Sequence, residues 1–296
     1  MKISLKKIIK NILRSVGINT TPEKIHQWFS YRSLQLAIKE QKLDKMLLRL
    51  REIEPDISHQ EASTKKSFNQ YWEFKRRGLQ SFQCALMLEG LERFSKRSLT
   101  VVDIGDSAGT HMLYLKELSR PKYEIDTIGV NLDPRAIEKI RARGQKAILC
   151  RAEELDLKDR YIDMYTSFEM VEHLHNPSIF FRRLAKRSAC NKMLITVPYL
   201  RQSRIGLHNI RHNYRKEVFA EDEHIFELSP FDWELLLLHS GWKVIQAKVY
   251  FQYPRNIPII SGLLANFWKK FDYEGFWGAI LEKDTSFSDC YKDWEE

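Results

Sequence analysis

Three residues within five positions, Glu169, Glu172 and His173 in the run Glu-Met-Val-Glu-His, combine two carboxylates with an imidazole. If the run begins a helical turn, positions i, i+3 and i+4 share one face and the three side chains converge. Oxygen and imidazole donors together suit Mg2+, Mn2+ or a similar divalent ion better than a thiolate-seeking one. An ion there could lower the pKa of a substrate hydroxyl, which is otherwise a weak nucleophile. A second run of chemical interest lies upstream, Asp103-Ile-Gly-Asp-Ser-Ala-Gly-Thr110. Its glycines, Gly105 and Gly109, allow a tight turn and let a ligand approach backbone where a Cβ would clash. Asp103 is out of place beside a pyrophosphate, but it suits a ligand with a cationic amino-acid end.

These groups need a scaffold that brings them to one edge. Residues 99–102 are an apolar, β-branched run that reads as a buried parallel strand, with Asp103 at its carboxyl end. Residues 110–118 continue with helical spacing. Strand, acid, glycine turn and helix is how a doubly wound α/β sheet cradles a nucleotide-like ligand. Further strands are expected at 123–130, 145–150, 161–167 and 193–197, with a helix between each pair as right-handed crossovers require. Residues 241–251 and 276–282 supply two more. The Glu169 to His173 run then falls on the loop leaving the fourth strand. Pro134 suits the first turn of the helix after the second strand, and Ser229-Pro230 reads as an N-cap and first helical position.

The stretch from Asp103 to Gly109 resembles the first motif of class I S-adenosylmethionine (SAM) dependent methyltransferases, Asp-apolar-Gly-x-Gly-x-Gly. Ser107 stands where that pattern has its middle glycine. The resemblance covers roughly residues 65 to 285. It implies an α/β, Rossmann-like, doubly wound seven-stranded sheet whose last strand is antiparallel, and SAM as cofactor. Asp103, Gly105, Asp106 and Gly109 are then cofactor-binding, with Asp103 at the amino-acid end. Asn131 replaces the family's ribose-binding acid and could accept from one hydroxyl and donate to the other. Leu132 follows it, and Asp133 is an alternative ribose partner. Ala152 and Glu153 match the adenine-edge site, where Arg151 departs from the family's acid. Phe168 completes the set, and Asp163 holds the family's Phe-Asp position.

The Glu-x-x-Glu-His run resembles two metal-dependent O-methyltransferase groups, one of the ubiquinone pathway and one acting on the 3′-terminal ribose 2′-hydroxyl of small RNAs. The second group has a further histidine ligand in a His-x-Phe-Glu-like segment. His224 in Glu221-Asp-Glu-His-Ile-Phe-Glu-Leu-Ser229 stands at that place. The implied metal ligands are Glu169, Glu172, His173 and His224, with Mg2+ or Mn2+ as the ion. Glu-His after this strand also occurs in class I methyltransferases that bind no metal, and there His173 or His224 is the leading general base. His208 and His212, in a basic loop, are each open to three readings: a fourth ligand, a base or a phosphate contact. His175 reads as a surface histidine.

Composition fits an enzyme with a sizeable core: 296 residues, 43% hydrophobic, with seven tryptophans. Cys84, Cys150, Cys190 and Cys290 lack paired spacing, which excludes a zinc ribbon or disulfide framework and fits a reducing cytoplasm. No apolar run reaches the roughly 20 residues a membrane span needs, and no secretory signal is evident. Residues 1–50 carry 11 Lys and Arg against 3 Asp and Glu. The remainder is near neutral, which weighs against nucleic acid as partner. Within 3–16, an apolar stripe opposes lysines and an arginine, as in a helix on a membrane surface, on a partner, or packed on its own domain.

We therefore expect a basic amphipathic helical appendage at 1–60 and a methyltransferase domain at 61–296, with a substrate loop at 201–228 and an apolar insertion at 252–275. Tyr71, Trp72, Phe74, Phe82 and Leu86 either cover the cofactor or form plain core. The expected activity is O-methylation of a saccharide or of a cell-envelope glycan or lipid-linked precursor, whose neighbouring hydroxyls would chelate the ion. RNA ribose 2′-O-methylation, methylation of a quinone-like phenol, and a non-catalytic SAM-fold scaffold are the alternatives. The expected setting is cytoplasmic, with peripheral membrane contact through 1–19. Oligomeric state is left open.

Overall fold

The computed structural model describes residues 22–60, 70–157, 160–206, 223–256 and 275–292. Five parallel strands form its centre: β1 (Ser98–Ile104), β2 (Glu124–Asn131), β3 (Lys146–Leu149), β4 (Met164–Phe168) and β5 (Lys192–Pro198). After the two-residue strands β6 (Arg204–Ile205) and β7 (Phe226–Glu227), which pair outside the main sheet, come β8 (Trp242–Phe251) and β9 (Gly275–Lys283). The seven-stranded order is β3-β2-β1-β4-β5-β9-β8, with β9 antiparallel to both neighbours. This is the doubly wound α/β sheet with an antiparallel last strand that the sequence leads one to expect. The order reverses between β1 and β4, so the crevice beyond their carboxyl ends is the switch point where such sheets bind ligands.

Strand alternation sends successive side chains to opposite faces. Val101, Met164 and Leu194 pack on one face, and Val102, Tyr165 and Ile195 on the other. Both faces are covered, so these strands read as continuous apolar runs. On the first face lie α2 (Asp44–Ile53), α3 (Gln70–Leu91) and α4 (Thr110–Ser119), which contribute Leu50, Leu86 and Met112. On the second lie α6 (Pro177–Arg187) and α7 (Pro230–His239), through Phe180, Phe181 and Trp233. The helix α5 (Pro134–Ala142) follows β2, and α1 (Pro22–Glu40) leads in the described chain. Three helices start alike, with Asp133, Asn176 or Ser229 accepting a backbone N–H and proline at the first helical position. Phe82 and Leu86 belong to the core, Phe82 stacking on Tyr250.

The described part of 1–60, expected as an appendage, shares this core. Leu50 and Ile57 are fully buried. Arg77 of α3, also fully buried, donates to the carbonyls of Leu50, Glu54 and Pro55 and to the Tyr114 hydroxyl, and pairs with Glu73. Arg77→Met would strand the buried Leu50 carbonyl and leave Glu73 without its buried partner, and is expected to destabilise by about 3–5 kcal/mol. Thermal unfolding should register this as a midpoint lowered by roughly 6–15 °C. The amphipathic segment 3–16, the segment 1–19 expected to contact a membrane, His208, His212 and the insertion from 257 to 274 lie outside the described residues. Among the described residues no helix is long and apolar enough to cross a membrane.

Candidate functional site

Two adjoining cavities, of about 290 and 400 Å3, open at the carboxyl edge of the sheet. The first is walled by the ends of β2 and β3 and includes Asn131, Leu132, Ala152 and Glu153. The second lies between the β1–α4 turn and α3, and includes Asp103, Asp106, His111 and Phe168. Gln60, Gly105, Ser107 and Glu169 line both and mark their junction.

The β1–α4 turn is built by its own residues. Gly105 has φ +93°, and a Cβ there would meet Met170 Cγ at 2.6 Å. Asp106 Oδ1 accepts from the N–H groups of Ala108 (3.0 Å) and Gly109 (2.6 Å). Gly109, at φ +73°, starts α4, and a Cβ there would meet Gln145 Oε1 at 2.8 Å. It lines neither cavity, and the turn and Gln145 by themselves require a glycine here. Asn131 is engaged at both ends of its amide: Nδ2 donates to the Asp106 carbonyl (3.0 Å) and Oδ1 accepts from Asp133 N–H (2.8 Å). It braces two loops, and its second N–H and second oxygen lone pair remain on the first cavity that it lines. Asp133, the alternative, is paired with Arg135 while capping α5.

Asp103 is 2% exposed. Its Oδ1 accepts from the Thr166 hydroxyl at 2.7 Å, and its Oδ2 has no partner. Burial, and then the Asp106 charge, push the Asp103 carboxyl well above the usual range, while burial raises Asp106 to about 6. A cation in the second cavity would relieve both.

The Glu-x-x-Glu-His run departs from the helical turn assumed for it. Glu169 takes a left-handed φ of +53°, and a single 3-10 turn covers Val171–His173. The regular i, i+3, i+4 face is therefore broken after Glu169. Among the described residues, Glu172, His173 and His224 place one ligand atom each within 4.8 Å of one another, and Glu169 is not in that group. It stays at the junction of the cavities, and burial and then the Glu172 charge raise its pKa well above the usual range.

Glu172 is fully buried with both carboxylate oxygens unpartnered, and burial pushes it up to about 8. The Nδ1–H of His173 donates to the Glu223 carbonyl at 2.8 Å, and its Nε2 lies 4.0 Å from Glu172 Oε1. His224 packs edge-to-face on His173 with ring centroids 4.7 Å apart, and its Nδ1 lies 3.6 Å from Glu227. Burial, followed by the neighbouring His173, lowers the His224 pKa and favours neutral imidazole. Ile225 N–H bonds to the Glu172 carbonyl at 2.8 Å, which carries His224 to the turn. A buried, unpaired carboxylate beside two imidazoles is costly without a cation. The donor set fits a divalent ion, and the Glu223 carbonyl and Glu227 carboxylate behind the rings are the partners that orient metal-ligating histidines.

Sequence reasoning missed His111, Gln60, Gln80 and Gln83. Trp72, Lys75, Arg76, Leu79, Gln80 and Gln83 recur at helical spacing along α3 and face the second cavity together. That partly polar stripe was the available signal.

The family profile described as "Methyltransferase domain" matches residues 71–247. No curated protein matches the chain. The O-methyltransferase of a trans-AT PKS multienzyme of Brevibacillus brevis, solved with S-adenosyl-L-homocysteine (SAH), aligns with TM-score 0.50 and 14% identity, covering 71% of this chain and 74% of that one. A candidate sarcosine dimethylglycine methyltransferase from Galdieria sulphuraria aligns with TM-score 0.51 and 14% identity, over 71% and 88% of the two chains. The 1,6-didemethyltoxoflavin-N1-methyltransferase of Burkholderia thailandensis gives 0.49 and 13%, over 84% and 88%. At these identities the likeness is one of fold.

Proposed function

This chain belongs to the class I SAM-dependent methyltransferases, and from that premise we propose that it methylates a hydroxyl of a saccharide, as part of a cell-envelope glycan or its lipid-linked precursor, aided by a divalent ion. The observation that carries the O-methyl reading is the convergence of Glu172, His173 and His224 beside the cavity pair. Bound SAM supplies an electrophilic methyl group. A divalent ion at the three ligands supplies positive charge that favours an ionised hydroxyl.

The chain's own residues do the rest. The groove aligns the two reactants, and positioning provides much of the acceleration in a displacement of this kind. Asp103 gives an ionised oxygen to a cationic amino-acid end, and Ala152 and Glu153 lie where the family reads adenine. His173 Nε2 accepts the hydroxyl proton if no ion takes part. Trp72 with Gln80 and Gln252 gives the second cavity an aromatic wall with amide groups beside it, a lining that suits a sugar. Membrane contact through 1–19 remains part of the proposal.

Mass spectrometry of glycans, lipids and small RNA, with and without the gene, tests the substrate class. A methyl group lost from a glycan or lipid fraction supports the reading. A loss confined to RNA or to phenolic small molecules overturns it.

The Asp103–Asp106 pair gives a pH prediction. Both pKa values are raised in the folded protein, so their stabilising contribution is present below the unfolded carboxyl value and lost as pH rises through the folded ones. A cationic ligand pairs with the ionised forms. The thermal shift produced by SAH is therefore expected to grow from pH 5 to pH 7.5, through the Asp106 value of about 6. A shift that is flat or falls across this interval would place the amino group elsewhere.

A further inference from the structure

We infer that His111 Nδ1 is a second acceptor, beside Asp103 Oδ2, for the α-ammonium group in the second cavity, and that Gln83 sets the imidazole tautomer that makes it one. The inference rests on the reading of the groove as a SAM site.

Both atoms belong to residues that line this cavity. Asp103 Oδ2 is buried without a partner, and His111 Nδ1 lies 3.9 Å from it. That is too far for a hydrogen bond between them. It is close to the spacing of two acceptors served by one ammonium, roughly 4 to 5 Å for bonds of ordinary length.

The tautomer follows from a chain of buried hydrogen bonds. The Thr196 hydroxyl oxygen accepts from Gln83 Nε2 at 3.0 Å. Gln83 consequently turns its carbonyl oxygen toward His111 and accepts from Nε2–H at 2.9 Å. With the proton on Nε2, Nδ1 carries the lone pair. The ring is held by Phe168, edge-on at 5.0 Å between centroids. Burial, and then the Arg76 charge, lower the imidazole pKa to about 4, so the ring stays neutral and keeps that lone pair. His111 thus adds a second fixed acceptor to the carboxylate, and Gln83 acts through His111 as a positioning residue.

Calorimetric titration of the full chain with SAH, and with the SAH analogue lacking the α-amino group, tests this. The wild-type protein is expected to bind SAH at least about tenfold more tightly than the deamino analogue, the loss of a charge-assisted bond. His111→Leu is expected to weaken SAH about tenfold and leave the analogue within about twofold. His111→Asn, which returns a side-chain carbonyl, should recover most of that loss. Gln83→Leu should weaken SAH selectively, by about threefold, because the imidazole then divides between tautomers. Equal affinity of the wild type for the two compounds overturns the inference without any variant. So does a His111→Leu protein that loses both equally, as a packing role would produce, or that binds SAH unchanged. A wild type that binds neither compound removes the cofactor reading itself, and the inference with it.

Discussion

Glu172→Gln is expected to lower methyl transfer by at least about a hundredfold while leaving SAH affinity within about threefold. Changes behind the ligands of metal sites typically cost 10–100-fold on their own, and a direct ligand costs more. Glu172 is the one carboxylate in the group with His173 and His224, and neither of its oxygens has another partner. It lines neither cavity, so its loss should spare the cofactor. Chelator should stop turnover of the wild type in the same way, and Mg2+ or Mn2+ should restore it. Stability gives a second readout of opposite sign. In chelator, the variant should melt higher than the wild type, because it removes a fully buried carboxylate that has no compensating charge. Full activity in chelator, or a variant that loses activity and stability together, would leave His173 as a metal-free base.

Gly105→Val is expected to weaken SAH binding by more than about a hundredfold. The backbone at φ +93° is one a β-branched residue avoids, and the new Cβ would meet Met170 Cγ at 2.6 Å. Gly105 lines both cavities, so relief of either strain distorts the ligand site directly. Gly109→Ala gives the contrast. Gly109 lines neither cavity and abuts Gln145, so its replacement should lower the melting temperature more than it lowers SAH affinity. Calorimetry on proteins with wild-type circular dichroism separates the two cases. Equal effects on SAH affinity would mean that the turn acts as one unit.

The sheet was legible because its central strands are buried on both faces and announce themselves as unbroken apolar runs. The acid and glycines of the β1–α4 turn were legible for the same local reason. What escaped the sequence arises from conformations or contacts that no spacing encodes. A left-handed φ is uncommon outside glycine, and Glu169 with the 3-10 turn after it broke the expected three-residue face. His111 sits in plain view after the glycine turn, but its partners come from α3, β1 and β4, and only folding brings them to it. Asn131 matched a ribose-binding place by position, and its added role of bracing the Asp106 and Asp133 backbones could be seen only in the fold.

The short β6–β7 pair joins the chain before and after the proposed substrate loop. Gly206 N–H bonds to the Ile225 carbonyl, Arg204 pairs with Glu227, and Ile225 N–H bonds to the Glu172 carbonyl. The polypeptide thus departs from and returns to one anchored point beside His224. An exchange of residues 207–222 is therefore expected to leave that histidine in place. On the proposed reading acceptor choice and bond chemistry are separable, and a graft of residues 207–222 from a relative is expected to change the acceptor while methyl transfer persists.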